Sequence, residues 1–266
     1  MPLASLVSAK GSPGVTVAAV ALTAATHSPE ASRAGGVLVE LDPSGGDIEL
    51  LTGAHSGEPS LLVAAADLRR GVGGEVLAGH AVEVVPGVRA LVAPTAARVA
   101  GRAVETVAGR LGTEIAEATG WVLVDAGRWE AHQPTADRLQ GADVVGIVCR
   151  STAPSIAHAR ELVPALRSRS ARLAVVLVGH APYRRADVAH VFDIPVLGPL
   201  EWDMRGLSVL WARGVSSRWL TRTALGRSAR AVLGELGDLV DSGGPDRRLS
   251  DQRPPANDEP EEEVVR

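Results

Sequence analysis

The sequence is poor in several residue types. Its 266 residues include one cysteine, one lysine, one tyrosine and one phenylalanine, and aromatic side chains make up only 3%. A lone cysteine excludes an internal disulfide. Cys149 lies in the apolar run VVGIVC and reads as a small buried hydrophobe in a reducing, cytoplasmic setting. No apolar run approaches the ~20 residues a spanning helix needs, and MPLASLVSAKGSPG has no basic segment ahead of its apolar stretch, so neither secretion nor membrane spanning is expected. The histidines (His27, His55, His80, His132, His158, His180 and His190) are scattered, with no metal-ligand pair on one helix face. Neither a Gly-x-Ser-x-Gly elbow nor a Gly-x-Gly-x-x-Gly fingerprint after a strand occurs, which removes the main support for hydrolase and dehydrogenase chemistry.

Net charge is also missing from most of the chain. The formal charge is -4, and residues 241–266 carry eight acidic residues against four arginines, which leaves residues 1–240 neutral. A neutral body offers no global field for steering onto nucleic acid, so any DNA contact has to come from a local patch.

Hydrophobic residues make up 45%, enough for a full core. Short apolar runs bounded by turn residues predict strands over Leu3–Ala9, Gly36–Leu41, Trp121–Val124, Val144–Cys149 and Leu173–Val178, with helical segments between them. That alternation predicts an α/β fold: a mostly parallel twisted sheet with helices on both faces, a three-layer sandwich. Val82–Val85 and Val88–Val92 flank a Pro86-Gly87 turn and predict a hairpin, followed by a helix from about Ala96 to Leu111. Thr152–Leu166 has apolar residues at helical spacing, with Pro154 in the first turn. Two more helices are expected from Met204 to about Val240, with a break near Gly214. The expected organisation is one domain over residues 1–240 and a disordered, acidic, proline-rich tail over 241–266.

The residues with chemistry begin where the first strand passes through Lys10-Gly11-Ser12-Pro13-Gly14-Val15-Thr16 into the apolar helix VAAVALTAA. A glycine-bearing loop between a strand and a helix N-terminus can aim backbone N–H groups at phosphate oxygens, with the helix dipole favouring the anion. An ordinary βα turn that uses glycine for tightness is the competing reading. The second strand ends in VELDPSGGD, where Asp42 either serves chemistry or simply hydrogen-bonds the following turn. Asp125 ends the apolar run WVLVD, a location where α/β sheets place ligands and where carboxylates are also common without a role.

Taken together in this order, the three segments resemble the MinD/ParA family of P-loop ATPases. Lys10, Gly11, Gly14 and Thr16 match its deviant Walker A loop, Lys-Gly-Gly-x-Gly-Lys-Thr, while Ser12, Pro13 and Val15 depart from it. Asp42-Pro43 matches the family's Asp-x-Asp-Pro-Gln segment, with Glu40 in place of the first aspartate, and Trp121 to Gly127 resembles its Walker B-like strand. The resemblance covers nearly all of residues 3–240. It implies that residues 10–12 and 14–16 (Lys10, Gly11, Ser12, Gly14, Val15 and Thr16) form the ATP loop, and that Lys10 reaches across a nucleotide-sandwich homodimer. It also implies that Thr16 and Asp125 hold Mg²⁺, and that Asp42 positions the attacking water.

Two departures from the family pattern bear on activity. Val15 stands where the family places its phosphate-contacting lysine, and a valine can neither donate a hydrogen bond nor neutralise charge, so weak nucleotide binding and slow or lost hydrolysis are expected. Gly179 stands where the family places the asparagine that reads adenine. The resemblance implies a role in positioning or partitioning of chromosome, septum or envelope machinery. The alternative is a pseudo-ATPase scaffold acting through protein–protein contacts. A protein partner is expected on either reading, with DNA or a membrane surface as weaker options. The arginine-rich stretch from Trp211 to Val240 could serve an interface, although packing of its apolar stripe on the sheet is the plainer reading.

Overall fold

The structure, a computed structural model, describes residues 2–10, 13–29, 31, 35–53, 60–72, 76–111, 120–130, 139, 141–170, 172–211, 220 and 222–242. Gly11 and Ser12 of the predicted loop, the predicted break near Gly214 and the predicted tail beyond Ser242 lie outside these residues.

Among the described residues eight strands are found: β1 (Leu3–Ser8), β2 (Gly36–Glu40), β3 (Val82–Val85), β4 (Val88–Leu91), β5 (Trp121–Arg128), β6 (Val144–Arg150), β7 (Leu173–Val178) and β8 (Val196–Leu200). They form one sheet in the order β3-β4-β2-β5-β1-β6-β7-β8. Every neighbouring pair is parallel except the β3–β4 hairpin, which lies at one edge. All six residues of β1 and of β7 are buried. Burial on both faces is why these strands read as continuous rather than alternating apolar runs.

The helices are α1 (Val15–Ala25), α2 (Ile48–Thr52), α3 (Ser60–Arg69), α4 (Val76–Gly79), α5 (Ala97–Ala108), α6 (Ala153–Arg167), α7 (Arg185–Ala189), α8 (Met204–Trp211) and α9 (Ala224–Asp241). Two apolar clusters separate them into layers. One joins the sheet to α3, α5 and α6 through Leu61, Val104 and Ile156; the other joins it to α1 and α9 through Leu22, Val232 and Leu236. The predicted three-layer sandwich is the observed one. Helix α1 packs on the sheet with α9 beside it on the same face, and its alanines are buried almost all round, so it is apolar on every face rather than striped.

One predicted boundary is corrected. The strand expected to end at Val124 continues to Arg128, because β5 is held by β1 on one side, where Ser8 pairs with Arg128, and by β2 on the other. Asp125 is therefore inside a central strand rather than at its tip.

Close packing also explains Gly146 in β6. A Cβ there would sit 2.8 Å from Leu6 Cδ2 and 3.0 Å from Val176 Cγ2. Gly146→Ala is expected to destabilise the fold by about 1–3 kcal/mol through overpacking, read as a lower urea midpoint at unchanged slope.

Candidate functional site

The sheet's carboxyl edge brings five of the predicted residues together, Gly14, Val15, Thr16, Asp42 and Asp125. The loop leaving β1 enters α1 at Gly14, whose φ of 101° and ψ of 35° place it in the left-handed region that a side chain would strain. Among the described residues no side chain caps α1. The first intrahelical bond runs from Ala18 N to Gly14 O at 2.8 Å, so the amides of the preceding turn lack intrahelical partners. That turn borders a cavity of about 490 Å³ whose wall includes Gly14, Val15, Thr16, Asp42, Asp47 and Gly127. N–H groups outside the helical ladder and the positive end of a helix dipole at a cavity wall make a site for an anion.

Asp125 is fully buried beneath this turn. Its Oδ1 accepts from Gly127 N at 3.0 Å, whereas its Oδ2 is buried without a hydrogen-bond partner among the described residues. Burial pushes the carboxyl up to about 6 and the nearby charges of Asp42 and Asp47 add to that, while the Thr16 hydroxyl and the Gly127 amide pull the other way. A buried carboxylate oxygen without a donor, beside a threonine hydroxyl, suits a hard cation such as Mg²⁺, directly or through its water shell. Among the described residues no group of three or more His, Cys, Asp or Glu forms a protein-only metal cage. Mg²⁺ does not require one, since it keeps waters and shares its shell with phosphates.

Asp42 makes the turn-forming bond expected of it, its Oδ1 accepting from Ser44 N at 2.7 Å, and also lies at the cavity. Its carboxylate lies against the Cα of Gly127, where any Cβ would collide with it. Lys10 is exposed at the start of the loop and is not part of the cavity wall. Val15 is 7% exposed, belongs to the apolar cluster around α1 and borders the cavity with a hydrocarbon surface. Gly179 has a φ of 75°, with open space where its Cβ would be.

Glu40 is the residue whose importance the sequence did not convey. It pairs in register with Asp125 across β2 and β5 and is 1% exposed. Its Oε1 accepts from Asp47 N at 2.7 Å and Ile48 N at 3.0 Å, and its Oε2 from Ala93 N at 2.9 Å. One carboxyl group therefore ties the loop that carries Asp42 and Asp47 to the end of β4. Burial, reinforced by the negative charge of Asp125, pushes it up to about 8 against the pull of those three amides. The available signal was a glutamate near the end of the otherwise apolar strand VLVEL. Cys149 is buried as expected, and burial pushes its thiol up to about 12, which makes it inert.

The fold is that of the MinD/ParA-type P-loop ATPases. A ParA family ATPase from Chlorobium tepidum superposes with a TM-score of 0.71 at 16% identity, over 88% of this chain and 98% of that one. The septum site-determining protein MinD of Pyrococcus horikoshii, complexed with Mg-ADP, gives 0.70 at 15% identity over 90% and 96%. Cobyrinic acid a,c-diamide synthase of Mycobacterium smegmatis, with a bound ATP analogue and magnesium, gives 0.57 at 18% identity over 92% and 97%. At such identities the likeness is one of fold. No protein-family model matches the sequence, and no curated protein matches it. Among the described residues no helix is long and apolar enough to cross a membrane.

Proposed function

We propose that this chain is a MinD/ParA-like P-loop protein that binds a Mg²⁺-nucleotide weakly at the N-terminus of α1 and works in positioning or partitioning cellular machinery, with hydrolysis slow or lost. The observation that carries the reading is the uncapped first turn of α1 next to the unpartnered Oδ2 of Asp125: donors for an anion stand beside an acceptor for a cation. Residues 1–240 act as the nucleotide-binding unit and residues 241–266 as a separate acidic tail.

In this reading Gly14 sets the backbone angle that points the amides of Val15, Thr16 and Val17 at the phosphates. Thr16 and Asp125 hold the metal, which supplies charge neutralisation at the phosphate oxygens. Asp42 orients water at the phosphate end, held there by its bond to Ser44 N and by the Glu40 tie behind it. Lys10, exposed at the loop, supplies a cation to a second copy of the chain in a homodimer. Val15 contributes no charge, and a missing donor to a transferring phosphoryl group costs roughly 10²–10³ in rate.

Titrating the purified chain with ATP and Mg²⁺ in a calorimeter tests this. Binding in the micromolar to millimolar range is expected, and no binding at millimolar nucleotide would overturn it. Val15→Lys, which restores a cation at the cavity wall, is expected to tighten ATP binding about tenfold.

The apolar packing of Val15 favours one second reading, a pseudo-ATPase scaffold that acts through protein contacts. It expects Val15→Lys to lower stability and leave nucleotide binding absent. A DNA-binding role is the weaker option given the neutral body, and it predicts binding that falls steeply with salt.

A further inference from the structure

The far end of the same cavity is lined by Arg150, Val178, Leu200, Trp202, Met204 and Leu207. These residues come from the carboxyl ends of β6, β7 and β8 and from α8, so this end lies beside Gly179, on the opposite side of α1's first turn from Asp42. Trp202 is 53% exposed, although it borders a cavity in a chain with few aromatic residues. The guanidinium of Arg150 stacks over its ring at 4.5 Å from the centroid, a contact that fixes the plane of the indole.

The carboxylates nearby are already engaged. Asp203 accepts from the amides of Arg205 at 2.9 Å and Leu225 at 3.2 Å, and Glu201 faces His180 at 3.3 Å. At Gly179 there is no side chain to reach a base edge. Among the described residues, this end of the cavity therefore offers chiefly a flat aromatic surface and hydrocarbon, with its carboxylates already tied to the fold.

We propose that Trp202, held by Arg150, is the base-stacking platform of the site, and that the site grips a nucleobase by its face instead of reading its edge, so that it takes purine nucleotides with little discrimination between adenine and guanine. The inference rests on the nucleotide-binding reading above and adds the residue that decides which bases are accepted. Every base has a π-face, so stacking gives affinity without selectivity. The cavity, at about 490 Å³, is within the size range of small-ligand pockets and continuous from Thr16 to Trp202, so one ligand can span both ends.

The test measures the affinity of the full chain for ATP, GTP and inorganic tripolyphosphate, each with Mg²⁺, in wild type, Trp202→Ala and Trp202→Phe. Wild type is expected to bind ATP and GTP within about threefold of each other and both about tenfold or more tighter than tripolyphosphate. Trp202→Ala is expected to remove that tenfold advantage while leaving tripolyphosphate affinity unchanged, and Trp202→Phe to retain most of it. Because Trp202 is largely exposed, circular dichroism should show both variants folded. If tripolyphosphate binds but Trp202→Ala leaves ATP unaffected, the stacking role is overturned and the phosphate site stands. If ATP outcompetes GTP by a hundredfold, an edge is being read and the proposal fails. If neither nucleotide nor tripolyphosphate binds, the nucleotide reading itself fails, and the platform with it.

Discussion

Glu40→Ala is expected to cost about 3 kcal/mol or more of folding stability, a large effect for a residue that the family resemblance marks only as a substitution. Removing the carboxyl group leaves the amides of Asp47, Ile48 and Ala93 without their acceptor, and each unsatisfied buried donor costs about 1–3 kcal/mol. The loop carrying Asp42 and Asp47 would also lose its tether, so nucleotide binding should weaken together with stability. Glu40→Gln, similar in shape and able to keep two of the three bonds, is expected to lose about 1 kcal/mol. Urea unfolding of the three proteins checks the order, and a Glu40→Ala variant as stable as wild type would refute the tie.

The same carboxyl group predicts a pH dependence with a definite sign. Its ordinary value is 4.5, and burial beside Asp125 raises it to about 8 in the fold. Between those values the folded chain holds a proton that the unfolded chain has released. Folding is therefore favoured most below pH 4.5 as far as this group is concerned, and the advantage is lost as pH rises through 8, at no more than about 1.4 kcal/mol per pH unit. Asp125, raised from 3.8 to about 6, adds the same sign at lower pH, so of these two carboxyls it is Glu40 that contributes between pH 6 and 8. Glu40→Gln should flatten that part of the curve.

If Asp125 holds the metal as proposed, Asp125→Asn is expected to lower nucleotide affinity in the presence of Mg²⁺ by about a hundredfold, or ~2.7 kcal/mol, because it removes the anionic oxygen left for a cation without changing the side chain's shape. In EDTA the variant and wild type should bind alike. Stability should move in the opposite direction: a neutral amide replaces a fully buried acid whose charged form burial disfavours, so the thermal midpoint should hold or rise. A loss of affinity that persists equally in EDTA would mean that Asp125 supports the loop and not a metal.

Much of the architecture was legible because buried parallel strands have no alternative but to be apolar on both faces. β1, β6 and β7 stand out as unbroken runs for that reason, and Gly14 stands out because only glycine sits easily at a left-handed helix entry. The places that Glu40 and Trp202 take in the fold were not legible. A carboxylate in a strand carries no mark of which amides will reach it, and the donors to Glu40 come from as far away as Ala93. Trp202 follows β8 as one tryptophan among five, and its meaning depends on Arg150 and the cavity, both brought to it across the sheet edge.

The sequence by itself determined the α/β alternation, the inert buried Cys149, and the order of a glycine loop followed by Asp42 and Asp125. These depend on local hydropathy and turn chemistry, which act over a few residues. Only the tertiary structure decided that Asp125 lies inside a central strand with an unpartnered oxygen, that Glu40 stands opposite it, and that Arg150 and Trp202 close the other end of the cavity. Strand order is set by how the helices cover both faces of the sheet, and that choice brings together residues more than a hundred positions apart.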